Sequence, residues 1–595
     1  MKLISMAMSN VSRLFLLMSL GFLLECSFIG IRNVHATGPQ YSADNWVCRN
    51  ETGCTQLGED VQHQNGEKIM SNETCYMLCP KEPSLWPKPI FVEVQDKNFS
   101  AFQKQHIFLK VLSPTNKTRK MAERAANLFI NNLTGSSKYN RIFEEETEEV
   151  VKIHVHIKNN DTKLTSSTNE SYILTVGYQK NEVRVKITAP TYFGVRHGLE
   201  TLSQLIWYDA QTDRLRIMHE IRIIDEPKFP HRGIMIDVAR NFIPIWYLKR
   251  VIDGMAINKL NVLHLHASDS ESFPLVLPNN PDFAKNGAYD KAMTYSTRDT
   301  KDLIAYANIR GVRVILEVDA PSHVTPNAWP NGQTMCGKES VFRATLNPDD
   351  SNVFGTLQSV YRDLLSLGSD GDSFHIGGDE VVLDCWKQSK SGKTLSDLYY
   401  LWVNFTNQMV EQLKSANGGN LTSDVILWSS PLTDRFITYL KNKPNLVVQY
   451  WFGKFDHIFQ NNLRIIFSTV GYWYLDCGYG PWKKNQVLGA CDPYTHWMKV
   501  YRYRPWEQYV NRLNQVMGGE VCLWTEQVAA EDVETRIWPR AAAFAERIWS
   551  DPGWEDRERN RLYARFNRHI IRMRRRGISV AAIWPIYCSY YPDKC

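Results

Sequence analysis

From Pro227 onward one pattern repeats: a short apolar run, a polar exit, then a helix-like stretch. The runs are GIMIDVAR, VLHLHASD, VRVILEVDAPSH, SFHIGGDE, VILWSS, LVVQYW, IIFSTVGYWYLD and EVCLWTEQ. Segments such as WYLKRVIDGMAINKL and TKDLIAYANIRG fall between them. A strand that returns through a helix to its neighbour makes a parallel sheet. Eight such units in a row predict an α/β architecture closed as a (β/α)8 barrel. A doubly wound sheet is the alternative, but it would be a long one.

In a barrel the chemistry collects at the carboxyl ends of the strands. Those ends carry Arg240, Asp269, His323, Asp379, Glu380, Trp428, Trp451, Asp476, Trp524 and Glu526, while the runs before them stay apolar. Adjacent carboxylates such as Asp379 and Glu380 raise each other's proton affinity and need a reason. One reading is a helix N-cap, with Asp379 accepting backbone N–H groups. The other is chemistry. Alternation along an extended chain points the two side chains in different directions. They therefore cannot straddle one bond as acid and nucleophile, a role that needs carboxyls about 5 Å apart. One can reach a leaving-group oxygen while its neighbour orients another substrate group, and Gly377 and Gly378 leave room for a ligand to approach. Tryptophans beside charged groups suit a sugar, whose C–H face stacks on indole while its hydroxyls are hydrogen-bonded.

The rest of the chain bounds the setting. At 595 residues, 43% hydrophobic and 22% charged, it has room for several domains and a large core. The net charge is +6, and the one basic run, RHIIRMRRRG, reads as a solvated helix face, which points away from nucleic acid as a partner. Lys2 and Arg13 before LFLLMSLGFLL predict a signal peptide over residues 1–36, and no later stretch is apolar enough to cross a membrane. Beyond the signal lie nine glycosylation sequons, at Asn50, Asn72, Asn98, Asn116, Asn132, Asn160, Asn169, Asn404 and Asn420, which suit a secretory protein. With Cys26 lost in the signal, eleven of the twelve cysteines remain, so at least one is unpaired; Cys522 in EVCLW is the candidate. Cys48, Cys54, Cys75 and Cys79 can close two local bridges, and Cys477 with Cys491 and Cys588 with Cys595 make short loops. No histidines stand at zinc-finger distances from them, so neither metal nor cofactor is expected. The domains read as a Cys-rich segment over 37–89, an accessory α/β domain over 90–225 and the barrel over 226–595. Within the accessory domain YILTVGYQKNEVRVKITA predicts a hairpin and TYFGVRHGLETLSQLIWY an amphipathic helix.

The barrel half resembles the β-N-acetylhexosaminidases of glycoside hydrolase family 20. FPHRGIMIDVARNFIP, KLNVLHLHASDSESFPL, DAPSH, HIGGDEV, GGEVCLWTEQ and IWPRAAAFAERIWS occur in the family's order. The Cys-rich start and YWYLDCGYGPW are most similar to the insect chitooligosaccharide-degrading branch. The resemblance implies substrate-assisted retaining hydrolysis, an exception to the two-carboxylate scheme. The substrate's 2-acetamido oxygen attacks the anomeric carbon and forms an oxazolinium intermediate. Glu380 would be the general acid/base, Asp379 would hold the acetamido N–H, and Tyr474 would aim its oxygen. Arg240 would grip the C3 and C4 hydroxyls, and Asp476 and Glu526 those at C4 and C6. A pocket so closed makes cleavage exo, from the non-reducing end.

The same resemblance implies that Asp269 and His323 orient the acid/base and that Trp428, Trp451 and Trp524 box the acetamido group. Trp497, in YTHWMKVY, would stack the second sugar, with loop packing as its plainer alternative, and Cys336 would pair with Cys385. Two departures stand out. HLHAS replaces the usual HWHL, with Leu265 and Ala267 in place of larger side chains, and the loop after His323 lacks a longer cysteine-containing insertion. The implied protein is a secreted hexosaminidase acting on chito-oligosaccharides or other GlcNAc-terminated glycans, with GalNAc and a homodimer left open. Its alternatives are an N-glycan-trimming enzyme of lysosomes or secretory vesicles, and a catalytically silent glycan-binding protein.

Overall fold

The computed structural model describes residues 45–49, 53–57, 67–133, 149–209, 212–368, 372–392, 394–553, 559–590 and 595. The expected signal segment and Asn50 lie outside the described residues. Eight parallel strands form one sheet: β1 (His231–Asp237), β2 (Val262–His266), β3 (Arg313–Glu317), β4 (Ser373–His375), β5 (Asp424–Trp428), β6 (Leu446–Tyr450), β7 (Arg464–Phe467) and β8 (Val516–Leu523). The spatial order is β3-β2-β1-β8-β7-β6-β5-β4, so every strand lies beside its sequence neighbour. The described sheet ends at β3 and β4, and side chains span that seam. Arg313 donates to Ser373 Oγ at the strand starts (2.9 Å), and Gly378 N–H donates to Asp319 Oδ1 at the exits (2.8 Å).

Inward-facing positions recur every second residue and stack in layers. Val262, Ile315, Ile426, Val447, Ile466 and Met517 pack as one apolar layer inside the barrel. Two residues further along the same strands stand His264, Glu317, Trp428, Gln449 and Ser468, all buried. The interior is thus apolar below and polar above, and the polar layers face the strand exits. Helices cover the outside, several fixed by local caps. Ser296 and Asp299 form a capping box on Thr297–Ile309, and Thr394 and Asp397 do so on Leu395–Ala416.

Ahead of the barrel a second sheet joins Phe91–Phe102, Ile107–Leu112, Val150–Ile157, Tyr172–Gln179, Glu182–Ala189, Ile206–Asp209 and Arg214–Asp225. The expected hairpin pairs Tyr172–Gln179 with Glu182–Ala189. The expected helix stops at Leu205, because IWYD continues as a strand. At the N-terminal side Trp46–Arg49 and Gly53–Gln56 pair beside the helix Asn72–Leu78, stapled by Cys48–Cys79 and Cys54–Cys75. Cys588–Cys595 closes the C-terminal loop, and Cys522 is a buried free thiol. Of the described sequon asparagines, Asn98, Asn116, Asn132, Asn160, Asn169, Asn404 and Asn420 are exposed. Asn72 is half-buried and accepts from Arg568 (2.9 Å).

The basic run is not a solvated face. It belongs to the helix Arg559–Arg575, whose His569, Ile570 and Met573 are buried. Arg565 pairs with Glu546, Arg568 lies 3.6 Å over the Tyr76 ring, Arg575 pairs with Glu73, and Arg576 pairs with Glu200. These arginines bind the Cys-rich segment and the accessory domain to the barrel. A second clamp is fully buried: Arg232, on β1, makes a two-pronged pair with Glu170 of the accessory domain (2.9 and 2.6 Å), which also takes His197 (2.8 Å) and Asn261 (3.0 Å). Burial alone would raise the Glu170 pKa, but Arg232 and His197 overcome it and hold it at about 2.

Removing one partner of such a pair strands a buried charge. We expect Glu170→Ala to destabilise the fold by about 3–5 kcal/mol, read as a lower denaturant midpoint with an unchanged slope. Glu170 has its folded pKa depressed from 4.5 to about 2. Its contribution is therefore complete above the unfolded value and is lost as pH falls through that window. The variant should lack this part of the acid dependence.

Candidate active site

β4 ends at His375, and the chain leaves through Gly377 (φ 72°), Gly378 (φ 107°) and Glu380 (φ 46°). This is a left-handed turn rather than extended backbone. Asp379 and Glu380 do diverge, but the turn separates them and not strand alternation. Asp379 is buried, whereas the Glu380 side chain is 59% exposed. Asp379 caps no helix either, since the next one, Leu383–Trp386, begins at Val382 without a side-chain cap. Nor is the space at Gly377 reserved for a ligand. A Cβ there would lie 1.8 Å from Asp319 Oδ1, the oxygen that also accepts from Gly378 N–H.

His323, also left-handed (φ 56°), reaches both carboxyl sites: Nδ1 is 3.2 Å from Asp269 Oδ1, and Nε2 is 3.4 Å from Glu380 Oε2. Its contact with Glu380 is the largest influence on that carboxyl and holds it below its usual range. Burial pushes Asp379 up to about 6, and the Glu380 charge adds to the shift against the pull of His323. The two carboxyls are therefore set apart by environment: a desolvated one that binds protons readily, and a wetter one paired with an imidazolium.

Arg240 leaves β1 with its guanidinium between Asp237 (3.3 Å), Asp269 (2.7 Å) and Glu271 (3.3 Å), 5.1 Å over the Trp524 ring. Three of its five N–H donors are thereby engaged, and two remain for a ligand. Asp476 and Glu526 complete the acidic side. Burial and the nearby Glu526 charge raise Asp476 to about 7. Burial also raises Glu526, against Arg240.

Tyr474 stands between two indoles, its ring 6.5 Å from Trp451 and 6.3 Å from Trp524. The segment holding it is braced from below by Arg540, which donates to Leu475 O (2.6 Å), and is clipped by Cys477–Cys491. Cys336–Cys385 ties the loop after His323 to the chain just past Glu380. Trp428 is 0% exposed. It is the floor under Trp524 (6.0 Å) rather than an open wall, and its indole N–H donates to Glu317 (2.7 Å).

Arg240, Asp269, His323, Asp379, Glu380, Trp428, Trp451, Tyr474, Asp476, Trp524 and Glu526 thus converge. Trp497 does not. It opens the helix Trp497–Arg502, is 2% exposed, and packs on Tyr563 (4.8 Å) and Phe566 (4.6 Å). It is a core residue, and no sugar can stack on it. An open aromatic pair at this end of the barrel is Trp482 with Phe342, 6.0 Å apart, on the loops after β7 and β3. Sequence reasoning also passed over Asp237, His266, Glu271, Glu317 and Asp319. The signal was there in VLHLH and ILEVD, where ionisable residues occupy every second position of otherwise apolar strands.

Comparison with known proteins agrees with this geometry. A model described as glycosyl hydrolase family 20, catalytic domain, matches residues 229–552, and one described as beta-acetyl hexosaminidase like matches residues 85–205. The chain is 34% identical to "Probable beta-hexosaminidase fdl" of Drosophila melanogaster, over 92% of this chain and 90% of that one. It is 33% identical to a chitooligosaccharidolytic beta-N-acetylglucosaminidase of Bombyx mori, over 93% and 96%. Among solved structures, the exo beta-N-acetylglucosaminidase of Vibrio harveyi superposes with a TM-score of 0.65 at 21% identity, covering 84% of this chain and 79% of that one.

Because Trp497 is a core residue, Trp497→Ala should destabilise the protein by about 3–5 kcal/mol, the usual range for deleting a buried indole. Calorimetry should show the loss, and Trp497→Phe should recover part of it.

Proposed function

Because the chain belongs to glycosyl hydrolase family 20, we propose that its barrel mouth removes terminal N-acetylhexosamine units from glycans by substrate-assisted hydrolysis. The observation that carries this reading is the division of labour between Asp379 and Glu380. A buried Asp379 beside Tyr474 suits an acetamido group, with Asp379 accepting its N–H and Tyr474 donating to its oxygen. Both contacts aim that oxygen at the anomeric carbon. The positive charge that then grows on the ring being formed is balanced by the Asp379 carboxylate. Glu380, half in solvent, suits a leaving-group oxygen.

In the empty site the shared proton rests on His323 and Glu380 is the anion. A bound sugar displaces water from Glu380 and raises its proton affinity, because desolvation disfavours the charged form. The proton then passes to Glu380 and on to the glycosidic oxygen. For the second step Glu380 takes a proton from water, which opens the cyclic intermediate with net retention. The two spare Arg240 donors, with Asp476 and Glu526, suit the hydroxyls on the far side of the ring. With that side filled, only a chain end fits.

Chito-oligosaccharides are the substrate class we propose, on the strength of the Bombyx mori relative's name and the open Trp482–Phe342 pair at the mouth. The secretory setting is part of the proposal. It is supported by the five disulfides and the seven exposed sequon asparagines named above. No helix among the described residues is long and apolar enough to cross a membrane.

Glu380→Gln should lower hydrolysis of an unactivated disaccharide by about 10²–10⁴-fold, the range for general acid–base help. A dinitrophenyl glycoside, whose leaving group needs no proton, should lose far less in the first step. Equal losses on both in single-turnover measurements would remove Glu380 from the acid role. Trp482→Ala should raise the KM for chitotriose by roughly 2–10-fold, in line with about 0.5–1.5 kcal/mol for aromatic stacking. The KM for an aryl GlcNAc should hold steady. A chitotriose KM that does not move would end the chito-oligosaccharide argument based on this pair.

A further inference from the structure

Behind the acid/base lies a row of buried ionisable groups of alternating sign. His264 lies between Glu520 (Nδ1–Oε2, 3.0 Å) and Glu317 (Nε2–Oε2, 3.0 Å). His266 lies between Glu317 (Nδ1–Oε2, 2.8 Å) and Asp269 (Nε2–Oδ2, 2.8 Å). His323 then joins Asp269 to Glu380. All but His323 and Glu380 are fully buried. Burial alone would neutralise His264 and His266, but the carboxylates on both sides hold their pKa values up, His264 at about 9. The charged form of both rings is thereby favoured: His266 hydrogen-bonds through both nitrogens, and His264 through Nδ1 with Nε2 in ion-pair contact with Glu317.

Glu317 is the middle carboxylate of the row, and it is tethered at a second point. Its Oε1 accepts from the Trp428 indole N–H (2.7 Å), which turns Oε2 toward His264 and His266. His375 Nδ1 also lies 3.1 Å from Oε1, but that nitrogen accepts from Gly377 N–H (3.0 Å), so its ring is no donor to Glu317. β1, β2 and β3 place Asp237, His266 and Glu317 in one register, so the sheet itself sets these distances.

We propose that Glu317 is a positioning residue for proton transfer, acting on Glu380 through His266, Asp269 and His323. Without an anion at 317, His266 loses one of the two carboxylates that keep it protonated at both nitrogens. Asp269 then loses one of its three cationic partners, keeping Arg240 and His323, and turns more of its field on the His323 proton. That proton is the one Glu380 must receive. The effect should fall on the acid step, because the one pocket residue that hydrogen-bonds Glu317 is Trp428, through its buried edge; the Glu317 charge also raises Asp379, so its removal leaves that carboxyl, if anything, more readily ionised. The inference rests on the function proposed above.

The test compares two substrates of one pocket, a GlcNAc disaccharide and the dinitrophenyl glycoside of GlcNAc, in single-turnover assays normalised by active-site titration. Glu317→Gln keeps the shape and removes the charge. Glu317→Asp keeps the charge, and with it the fold, but draws the carboxylate back from His266. Both variants should lose about 10-fold or more on the disaccharide, a fraction of the roughly 10²–10⁴-fold that a general acid supplies. Both should lose under about 3-fold on the dinitrophenyl glycoside, and KM should change little for either substrate. Equal losses on the two substrates, or a loss confined to the titrated active fraction, would show that Glu317 only supports the fold and would overturn the inference. Glu380→Gln is run beside them. If it too shows no dependence on leaving group, the functional reading fails; if it does and the Glu317 variants do not, only this inference fails.

Discussion

A row of opposite charges sealed inside the barrel is the constraint on which the upper half of this molecule depends. Glu520, His264, Glu317, His266, Asp269 and His323 reach from β8 to the Glu380 carboxylate with each neighbour within 3.4 Å. A single charge at such a depth would be destabilising by several kcal/mol, so each must keep its counter-charge in place. That requirement ties β8, β2 and β3 together in register, and it draws in the loops that carry Asp269 and His323. Below the row, the Val262–Met517 layer keeps water out and strengthens every interaction above it. The site's chemistry is the exposed end of that row.

The same rule operates at the joints between parts of the chain. Glu170 and Arg232 meet fully buried between the accessory sheet and β1. Lys259 Nζ lies 2.8 Å from Asp225, a carboxylate that also accepts from Tyr172 (2.7 Å) and Trp549 (3.0 Å). The arginines of the helix Arg559–Arg575 extend this bonding to the Cys-rich segment. None of the converging residues named above comes from the accessory sheet. Its contribution is to brace the strand that leads to Arg240.

Much of the site was legible in one dimension. Eight apolar runs marked eight strands, because a parallel strand buried on both faces must be apolar along its length. Charged residues at their exits marked the mouth, since only there can an ionised side chain reach both water and substrate. Short cysteine spacings pointed to Cys477–Cys491 and Cys588–Cys595, because nearby thiols close small loops readily. By contrast, Glu317 was hidden in plain view: a carboxylate within ILEVD reads as a strand terminus until three neighbouring strands put histidines and an indole around it.

What the sequence determined by itself was therefore local: period, apolarity, and the residue types at strand ends. What only the tertiary structure decided was which side of an element meets which distant segment. Trp497 looks like an open loop aromatic until Tyr563 and Phe566, from a helix far later in the chain, pack against it. RHIIRMRRRG looks solvated until Glu73, Tyr76 and Glu200 arrive from elsewhere. Asp379 and Glu380 look like an alternating strand end until Asp319 occupies the space at Gly377. In each case the deciding partner lies far off in sequence. Periodicity reports which residues share a face, but burial depends on what the completed fold brings to that face.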